Sequence, residues 1–471
     1  MKENKTTENN KIGIRMPHIF VVLMILIIAA SLASYIVPAG EYDRVPTEDG
    51  IEVIDPDSFK IVERTPVGIL DFMFAIPQGF IETAEIVFGI LMIGGMFTVI
   101  ERTGIINLGV TKLANTFSNR GLIAIPILMI PFALITTFTG QIELSLVYLP
   151  AILPLILSLG FDRITAAGTV LVATVGGFTV ALTVPANLGV AQQISQLPLY
   201  SGIGYRLIIL IIVLVVGIFY VLRYANKVKK DPTLSLTYGE HSHSDETEND
   251  VSINPMEATT RQKIASLVIL FAFGILLWGI LKHGWYFREL SGLYVMTGVV
   301  VGLIGGLTPS QVSEAFVEGF KKVLLGATLV GLARGVAVVL DDGNIMDTII
   351  YAAGRLVEAV PSSITAVIML VVQTIINFFI PSGSGQAMVT MPIMSGLADL
   401  SGVTRQTGVL AFLFGDGFSN IIYPTSGVLM ATLAIGKIEW NKWVKFIFPL
   451  VLIWYGLSII FLIIAQLMNY S

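Results

Sequence analysis

The second half of this chain repeats the first half at an offset of about 240 residues, and the best-matched stretches are helix breakers inside apolar segments. Glycine and proline are costly within a bilayer unless the freed backbone lines a cavity or is buried in protein. Paired interrupted segments in two halves of a chain indicate the binding site of a secondary transporter. The matched stretches are Thr139-Gly140-Gln141 with Ser384-Gly385-Gln386, Gly176-Gly177-Phe178 with Gly415-Asp416-Gly417-Phe418, and Pro185-Ala186-Asn187 with Pro424-Thr425-Ser426.

The composition indicates an all-α polytopic membrane protein. Of the 471 residues, 54% are hydrophobic, and several runs exceed the roughly 20 residues that span a bilayer. The net charge of −5 gives no indication of a nucleic-acid partner, so we expect none. The chain has no cysteine, which excludes disulfides, thiol catalysis and thiolate metal sites.

Hydropathy predicts nine spanning helices, two of them broken, and two further apolar segments with a Gly-Gln tip halfway. Each of these two segments is either a pair of crossings or one re-entrant hairpin. The first apolar stretch lacks a small-residue cleavage site, so we expect a retained helix rather than a signal peptide. The spanning helices are predicted at 17–37, 84–101, 164–190 (broken), 206–224, 264–281, 289–307, 322–340, 405–431 (broken) and 446–466, and the hairpins at 120–159 and 362–400.

Charge predicts the orientation. The loop 38–64 carries eight acids and three bases and is expected outside, whereas the lysines at 227–230 and 437–445 are expected inside, with the N-terminus in the cytoplasm. The single extra helix at 264–281 then gives the two repeats inverted topology. The predicted units are a first membrane repeat at 1–224, a cytoplasmic linker at 225–262, and the extra helix plus second repeat at 263–471. Amphipathic segments at 67–80, 105–118, 310–321 and 344–358 are either interfacial helices or ordinary loop helices.

The tips and breaks combine backbone freedom with small hydroxyl and amide groups. Glycine lets the main chain approach a ligand, helix N-termini favour a carboxylate, and C-terminal carbonyls favour a cation. The alternative is that small residues only permit close helix packing. The candidate substrate- and ion-binding residues are Thr139, Gly140, Gln141, Pro185 and Asn187 in the first half, and Ser382, Gly383, Ser384, Gly385, Gln386, Asn420, Pro424, Thr425 and Ser426 in the second.

Two acids, Glu143 and Asp416, complete the candidate site. An ionisable group at membrane depth is a functional hypothesis, because it is expensive to keep there. Each acid could bind a coupling cation, carry a proton, or pair with a cationic part of the substrate. The structural alternative is an ion pair with Arg334 or Arg405. Because no base faces the substrate in this pattern, the acids slightly favour a substrate that bears an amine, although a coupling cation would explain them equally.

The sequence does not favour an enzyme. Ser382-Gly383-Ser384-Gly385 loosely resembles the serine site of intramembrane proteases, but no histidine lies at matching depth to act as its base. Gly415-Asp416 lacks the second buried aspartate of an aspartyl intramembrane protease. We therefore expect no catalytic residues and no cofactor, with Na⁺ or H⁺ as coupling ion and the hairpin tips as the place for Na⁺. A channel remains the rival class.

The chain resembles the YfcC family, which is related to the anaerobic C4-dicarboxylate carriers and to arginine/ornithine antiporters. The resemblance covers nearly the whole chain and is most specific in 380–386, 414–418 and 223–227. It implies an elevator-type transporter of the ion transporter superfamily, a homodimer in the bacterial cytoplasmic membrane. It also implies that both tips, with Asn187 and Pro424-Thr425-Ser426, bind substrate and ions.

Two departures from the family fall in the expected site. Relatives often carry adjacent acids after the first tip and Asn-Pro in the first broken helix, whereas here Glu143 stands without a neighbouring acid and the order is Pro185-Ala186-Asn187. We therefore predict a secondary-active transporter of small carboxylate-bearing metabolites, either a basic amino acid such as arginine or ornithine or a C4-dicarboxylate, by ion coupling or exchange. The alternative function is a channel or passive facilitator for small organic anions.

Overall fold

The structure, a computed structural model, describes residues 19–46, 52–117, 120–239, 258–361 and 364–470, and this part of the chain is mostly helical. The first-half helices are α1 Ile19–Ile36, α2 Ile69–Glu82, α3 Ala84–Arg102, α4 Ile105–Phe117, α5 Gly121–Thr139, α6 Ser145–Ser158, α7 Arg163–Val180, α8 Val190–Ile194 and α9 Ile203–Lys230. The second-half helices are α10 Thr260–His283, α11 Phe287–Gly305, α12 Pro309–Asp342, α13 Met346–Glu358, α14 Thr365–Phe379, α15 Gly383–Leu400, α16 Arg405–Ser419, α17 Gly427–Ile435 and α18 Trp440–Leu467.

Within the described residues, nine helical stretches are long and apolar enough to cross a membrane, judged by length and composition. Eight of them overlap spans predicted from hydropathy. The ninth is α5, the first arm of the first predicted hairpin. The predicted span at 405–431 is not among the nine because its break divides it into α16 and α17, of 15 and 9 residues. The number of spans therefore agrees with the prediction, but the membership differs by one helix.

The prediction of a separate interfacial helix at 310–321 is wrong, because this segment and the following span form the single 34-residue helix α12. The helix begins at a capping box, in which Thr308 Oγ1 accepts from the Gln311 N–H at 3.3 Å and Pro309 occupies the first turn. Its glycines do not break it, because they lie at contacts with other helices. A Cβ on Gly319 would lie 2.6 Å from the Cα of Gly95 in α3. The other three amphipathic segments form α2, α4 and α13 as separate helices.

The loop 38–64 contains four short strands, which the prediction of an all-α chain did not include. Strand β1 (Gly40–Glu41) pairs with β4 (Lys60–Ile61), and β2 (Arg44–Pro46) pairs with β3 (Glu52–Ile54), both antiparallel. Asp347 of α13 holds this loop, since its carboxylate accepts from the Tyr42 backbone N–H at 2.9 Å and pairs with Arg44 at 2.9 Å. The described part of the acidic loop therefore packs over the first turn of α13.

The helices form two groups. The α12 group consists of α1, α2, α3, α10, α11 and α12, with α12 packed against α1, α2 and α3. Small residues allow this approach, as a Cβ on Gly79 of α2 would lie 2.5 Å from the carbonyl oxygen of Gly331 in α12. The hairpin group consists of α5–α9 and α14–α18. The two groups meet mainly where α12 packs on α17 and where α3 packs on α6, and α4 lies between them in contact with α3, α10, α5 and α6.

The two hairpins, α5–α6 and α14–α15, exchange contacts between the halves of the chain. Each first arm packs on the broken helix of its own half, α5 on α7 and α14 on α16. Each second arm packs on the helix after the break in the other half, α6 on α17 and α15 on α8. A hydrogen-bonded pair of hydroxyls joins the two halves at each of these contacts. Ser145 Oγ lies 3.0 Å from Thr432 Oγ1, and Ser195 Oγ lies 2.8 Å from Ser395 Oγ.

The predicted linker at 225–262 is only partly described. Helix α9 continues through its first residues to Lys230, and α10 begins at Thr260. The polar stretch 240–257, which carries most of the linker prediction, lies outside the described residues.

Candidate functional site

Each predicted hairpin has one arm too short to span a bilayer. Helices α6 and α14 have 14 and 15 residues, and at about 1.5 Å per residue they are shorter than a hydrocarbon core of roughly 30 Å. The first tip meets the break after α7. Gly140, in the left-handed conformation (φ 71°), packs on Val184, and the Leu182 N–H donates to the Thr137 carbonyl at 2.9 Å. These contacts place the first tip against the break after α7.

The second tip brings three predicted residues together from three separate segments. Ser382 caps α15, and its Oγ accepts from the Gly385 N–H at 3.3 Å. A Cβ on Gly383 would lie 2.9 Å from Cβ of Asn187 and 3.1 Å from Oδ2 of Asp416. The tip of the second hairpin therefore touches both broken helices, and only glycine fits without displacing one of them.

The repeated glycines hold each hairpin on its broken helix. Gly177 of α7 packs directly on the Ala133 carbonyl of α5. A Cβ on Gly415 of α16 would lie 2.5 Å from Cβ of Gln373 in α14. The packing alternative is thus correct for these two glycines, and their close contacts fix the position of the tips.

Asp416 is the most unusual group of the site. Its side chain is fully buried. The side-chain amide of Asn187 lies beside the carboxylate, but neither carboxylate oxygen completes a hydrogen bond of good geometry in the described part of the chain. Its backbone carbonyl is well held, because it accepts from Asn377 Nδ2 at 3.0 Å and from Asn420 Nδ2 at 2.8 Å. An ionised carboxylate without a donor costs several kcal/mol to bury. The arrangement can therefore accommodate a proton or a cation at Asp416.

Other buried polar atoms of the site also lack a partner among the residues described. Most belong to predicted residues at the tips and breaks, while Asn377 was missed by the sequence analysis. Asn377 lies four residues after Gln373 on α14, and this spacing puts both amides on one helix face within an apolar arm. The spacing was a usable signal. The unpaired atoms are Gln141 Oε1, Asn187 Nδ2, Asn377 Oδ1, Gln386 Oε1 and Thr425 Oγ1.

A chain of amides and hydroxyls supports the second tip. Gln386 Nε2 donates to Gln373 Oε1 at 2.7 Å, and Gln373 Nε2 donates to Thr390 Oγ1 at 3.0 Å. Asn377 Nδ2 donates to Ser419 Oγ at 2.6 Å. Because Gln386 is held by α14, its free oxygen keeps one orientation.

Glu143 has different neighbours from Asp416. It lies half-buried in a 3-10 turn (Ile142–Leu144) after the first tip, and its Oε1 is 3.5 Å from the hydroxyl of Tyr286, which precedes α11 of the α12 group. Asp416 instead adjoins Gly383 and Asn187. The described contacts therefore do not bring the two predicted acids into one cluster.

The arginines proposed as structural partners of these acids are paired elsewhere. Arg334 Nε lies 2.6 Å from Glu82 of α2, and Arg405 Nη2 lies 2.6 Å from Asp399 at the end of α15. Arg405 also donates to the Ser195 carbonyl at 3.0 Å. The structural alternative is thus wrong for both arginines.

The remaining predicted residues divide by burial. Pro185 and Ser382 are exposed, and Thr139, Ser384 and Gly385 are half-buried at the tips. Asn420, Pro424, Thr425 and Ser426 are buried at the second break, where Ser426 caps α17 by accepting from the Leu429 N–H at 3.5 Å.

Apolar helices of spanning length that enclose a polar interior define a multi-pass membrane protein. The family model for C4-dicarboxylate anaerobic carriers (DcuC) matches residues 16–467, so the chain belongs to this family of transporters. It is 32% identical over 494 residues to YfcC of Escherichia coli (strain K12), a candidate basic amino acid antiporter, covering 97% of each chain. It is 29% identical over 398 residues to an uncharacterized protein of Haemophilus influenzae, covering 84% of this chain and 78% of that one.

Two solved transporter structures align with most of the chain. One is Neisseria gonorrhoeae MtrF, described with a class of antimetabolite efflux pumps, at 16% identity, TM-score 0.42 and 96% coverage of both chains. The other is the Alcanivorax borkumensis YdaH transporter, at 15% identity, TM-score 0.40, and coverage of 96% of this chain and 99% of that one.

Proposed function

We propose that the protein is a secondary-active transporter of a small carboxylate-bearing metabolite, with Asp416 as its cation-binding group. The observation that carries the proposal is the buried carboxylate of Asp416, which adjoins a hairpin tip and has the Asn187 amide beside it but completes no hydrogen bond of good geometry with any described residue. A buried carboxylate is stabilised when it binds a proton or pairs with a metal cation or a protonated amine. A coupling ion or a cationic substrate supplies that partner during each cycle.

The second tip also suits the carboxylate of a substrate. Helix α15 begins at Gly383, and the first N–H groups of a helix have no partner within it and carry partial positive charge. Ser384 adds a half-buried hydroxyl at the same point. A carboxylate at this helix start and an amine at Asp416 would together recognise an amino acid.

We therefore place a basic amino acid first among substrates, in line with the name given to the YfcC relative, and a C4-dicarboxylate second, in line with the family description. A dicarboxylate would use the helix start and the amides, with a coupling cation, Na⁺ or H⁺, at Asp416.

The proposal includes two inverted repeats and an elevator motion of the hairpin group against the α12 group. The exchange of arms supports it, because α5 and α6 contact α7 and α17 just as α14 and α15 contact α16 and α8. A homodimer and a cytoplasmic N-terminus are further parts of the proposal, based on family resemblance and on loop charges respectively.

The decisive experiment is uptake into proteoliposomes, with Na⁺ and H⁺ gradients imposed separately, of radiolabelled arginine, ornithine, aspartate and succinate. Asp416→Asn should raise the half-saturating concentration of the coupling cation at least tenfold, or weaken arginine and ornithine far more than succinate. Asp399→Asn is the matched control, because this acid belongs to the same group of helices but is paired with Arg405 near the surface. It should leave both properties near wild type.

Unchanged kinetics in Asp416→Asn, over all substrates and both gradients, would overturn the role of Asp416. Flux that depends steeply on voltage and on no counter-ion gradient would instead establish a channel or passive facilitator for organic anions.

A further inference from the structure

A cavity of about 700 Å³ lies away from Asp416, between the α12 group and the first hairpin. Its walls come from α3, α4, α10 and α11 on one side and from α5 and α6 on the other. The lining is almost entirely apolar, with side chains such as Phe97, Phe132, Ile152, Phe273 and Leu293. The volume is within the roughly 300–1,000 Å³ range of small-molecule sites.

The cavity opens toward the face of α10 that would meet the bilayer. Ser266 and Leu270 line it and are exposed, with Leu270 at 67%. Leu267 and Phe271 beside them are also exposed, at 65% and 71%. Helix α10 is long and apolar enough to span, so this face adjoins hydrocarbon chains rather than water. The occupant with the readiest access is therefore an acyl chain.

Two exposed lysines lie one helical turn from residues that line the cavity. Lys263 precedes Ser266 by three residues and Leu270 by seven on α10, so the three side chains share one helix face. Lys112 follows Gly109 by three residues on α4, and Gly109 also lines the cavity. Both lysines are exposed. Basic side chains beside an apolar cavity of a membrane protein match the headgroup of an anionic lipid.

One polar atom within the cavity points to a ligand with an acceptor. Tyr148 of α6 lines the cavity, is 3% exposed, and its hydroxyl has no hydrogen-bond partner in the described ranges. Its ring is fixed by stacking on Phe132, with centroids 4.0 Å apart. The ester oxygens of a phospholipid would accept from this hydroxyl, which a pure hydrocarbon could not do.

We propose that this cavity binds one acyl chain of an anionic phospholipid, with the phosphate near Lys263 and Lys112 and the bound chain between the α12 group and the first hairpin. The site involves neither Asp416 nor the second tip, so it does not depend on the proposed substrate or coupling ion. A lipid bound there would fill the cavity between the α12 group and the first hairpin.

The test uses native mass spectrometry of the purified protein after exposure to equal amounts of phosphatidylglycerol and phosphatidylcholine. The wild type should retain one phosphatidylglycerol per chain in preference to phosphatidylcholine. Gly109→Trp should reduce retention at least tenfold, because a side chain at Gly109 meets nothing within 4 Å and can enter the cavity. Gly292→Trp on α11 is the control, since its site is equally open but does not line the cavity, and it should retain the lipid.

A second measurement does not depend on the tryptophan variants. Because the chain has no cysteine, Ala151→Cys provides a single thiol on the α6 wall of the cavity. Phosphatidylglycerol should slow its reaction with an apolar maleimide at least fivefold, and Lys112→Gln with Lys263→Gln should abolish the preference over phosphatidylcholine. Equal retention by Gly109→Trp and wild type, or reaction of the thiol at the same rate with and without lipid, would overturn the proposal.

Discussion

Gly417 of α16 packs directly on Thr179 of α7, and a Cβ on Gly417 would lie 2.6 Å from the Cα of Thr179. The first parts of the two broken helices therefore touch within a few residues of both breaks. Asp416 comes directly before Gly417, and Asn187 follows Thr179 after the first break. The contact between Gly417 and Thr179 therefore limits how closely Asn187 and Asp416 approach each other.

Gly417→Ala should destabilise the protein by about 1–3 kcal/mol, because the added methyl group overlaps backbone that cannot move aside. Gly396→Ala on α15 is the matched control, since a Cβ there meets nothing within 4 Å, and it should be neutral or slightly stabilising. Thermal unfolding of both variants in detergent is the measurement. An unfolding temperature for Gly417→Ala at or above that of Gly396→Ala would contradict the close contact.

The ion pair between Arg334 and Glu82 should contribute to stability and not to transport coupling. Both side chains are about one-third exposed, so solvent screening limits the pair to roughly 0.2–1 kcal/mol. A double-mutant cycle with Arg334→Gln and Glu82→Gln, followed by thermal unfolding, should show coupling of that size. Loss of cation dependence in either single variant would mean that the pair takes part in the transport cycle.

Glu143→Gln should alter the maximal transport rate and leave the half-saturating cation concentration unchanged, opposite to the expectation for Asp416→Asn. The reason is that Glu143 accepts a hydrogen bond from Tyr286 in the other group of helices, and the proposed elevator motion would break this hydrogen bond. Tyr286→Phe should give the same change in rate, and the double variant should not exceed either single one. A tenfold weaker cation dependence in Glu143→Gln would show instead that Glu143 is a cation ligand.

The predicted orientation can be checked with single cysteines on described, exposed positions. Asp57→Cys in the acidic loop should react with an impermeant maleimide from outside intact cells, and Tyr238→Cys after α9 only once the membrane is opened. The expectation follows from the acidic 38–64 loop and the lysines at 227–230. Reaction of both positions from outside would overturn the inverted arrangement of the repeats.

The tips and breaks were predictable because glycine and proline interrupt an apolar run visibly. Gly383 and Gly140 are where the sequence indicated, and each meets a broken helix. The continuity of α12 was not predictable from hydropathy, since its amphipathic start and apolar remainder look like two elements. The two segments form one helix because no proline follows Pro309 within α12. The glycines of α12 pack on other helices.

The neighbours of the two acids could not be read from the sequence either. Glu143 follows the first tip and Asp416 lies in the second broken helix, and the sequence did not show that Glu143 lies against Tyr286 whereas Asp416 adjoins Gly383 and Asn187. Sequence periodicity indicates which face of a helix a residue occupies. It does not indicate which other helix packs against that face, because tertiary packing decides this. Asn377 was missed for a different reason: the amides of Gln373 and Asn377 hardly change the hydropathy of the arm, although their spacing was a usable signal.

The exchange of hairpin arms has a consequence for how the protein is made. While only the first half has left the ribosome, α6 has no α17 to pack on and α8 has no α15, so Ser145 and Ser195 lack their hydroxyl partners. Neither half contains a complete set of contacts, and each closing pair joins residues at least 200 positions apart. We therefore expect the contacts between the two halves to form late in synthesis. Until α17 has been made, the first hairpin lacks its contact with the second half.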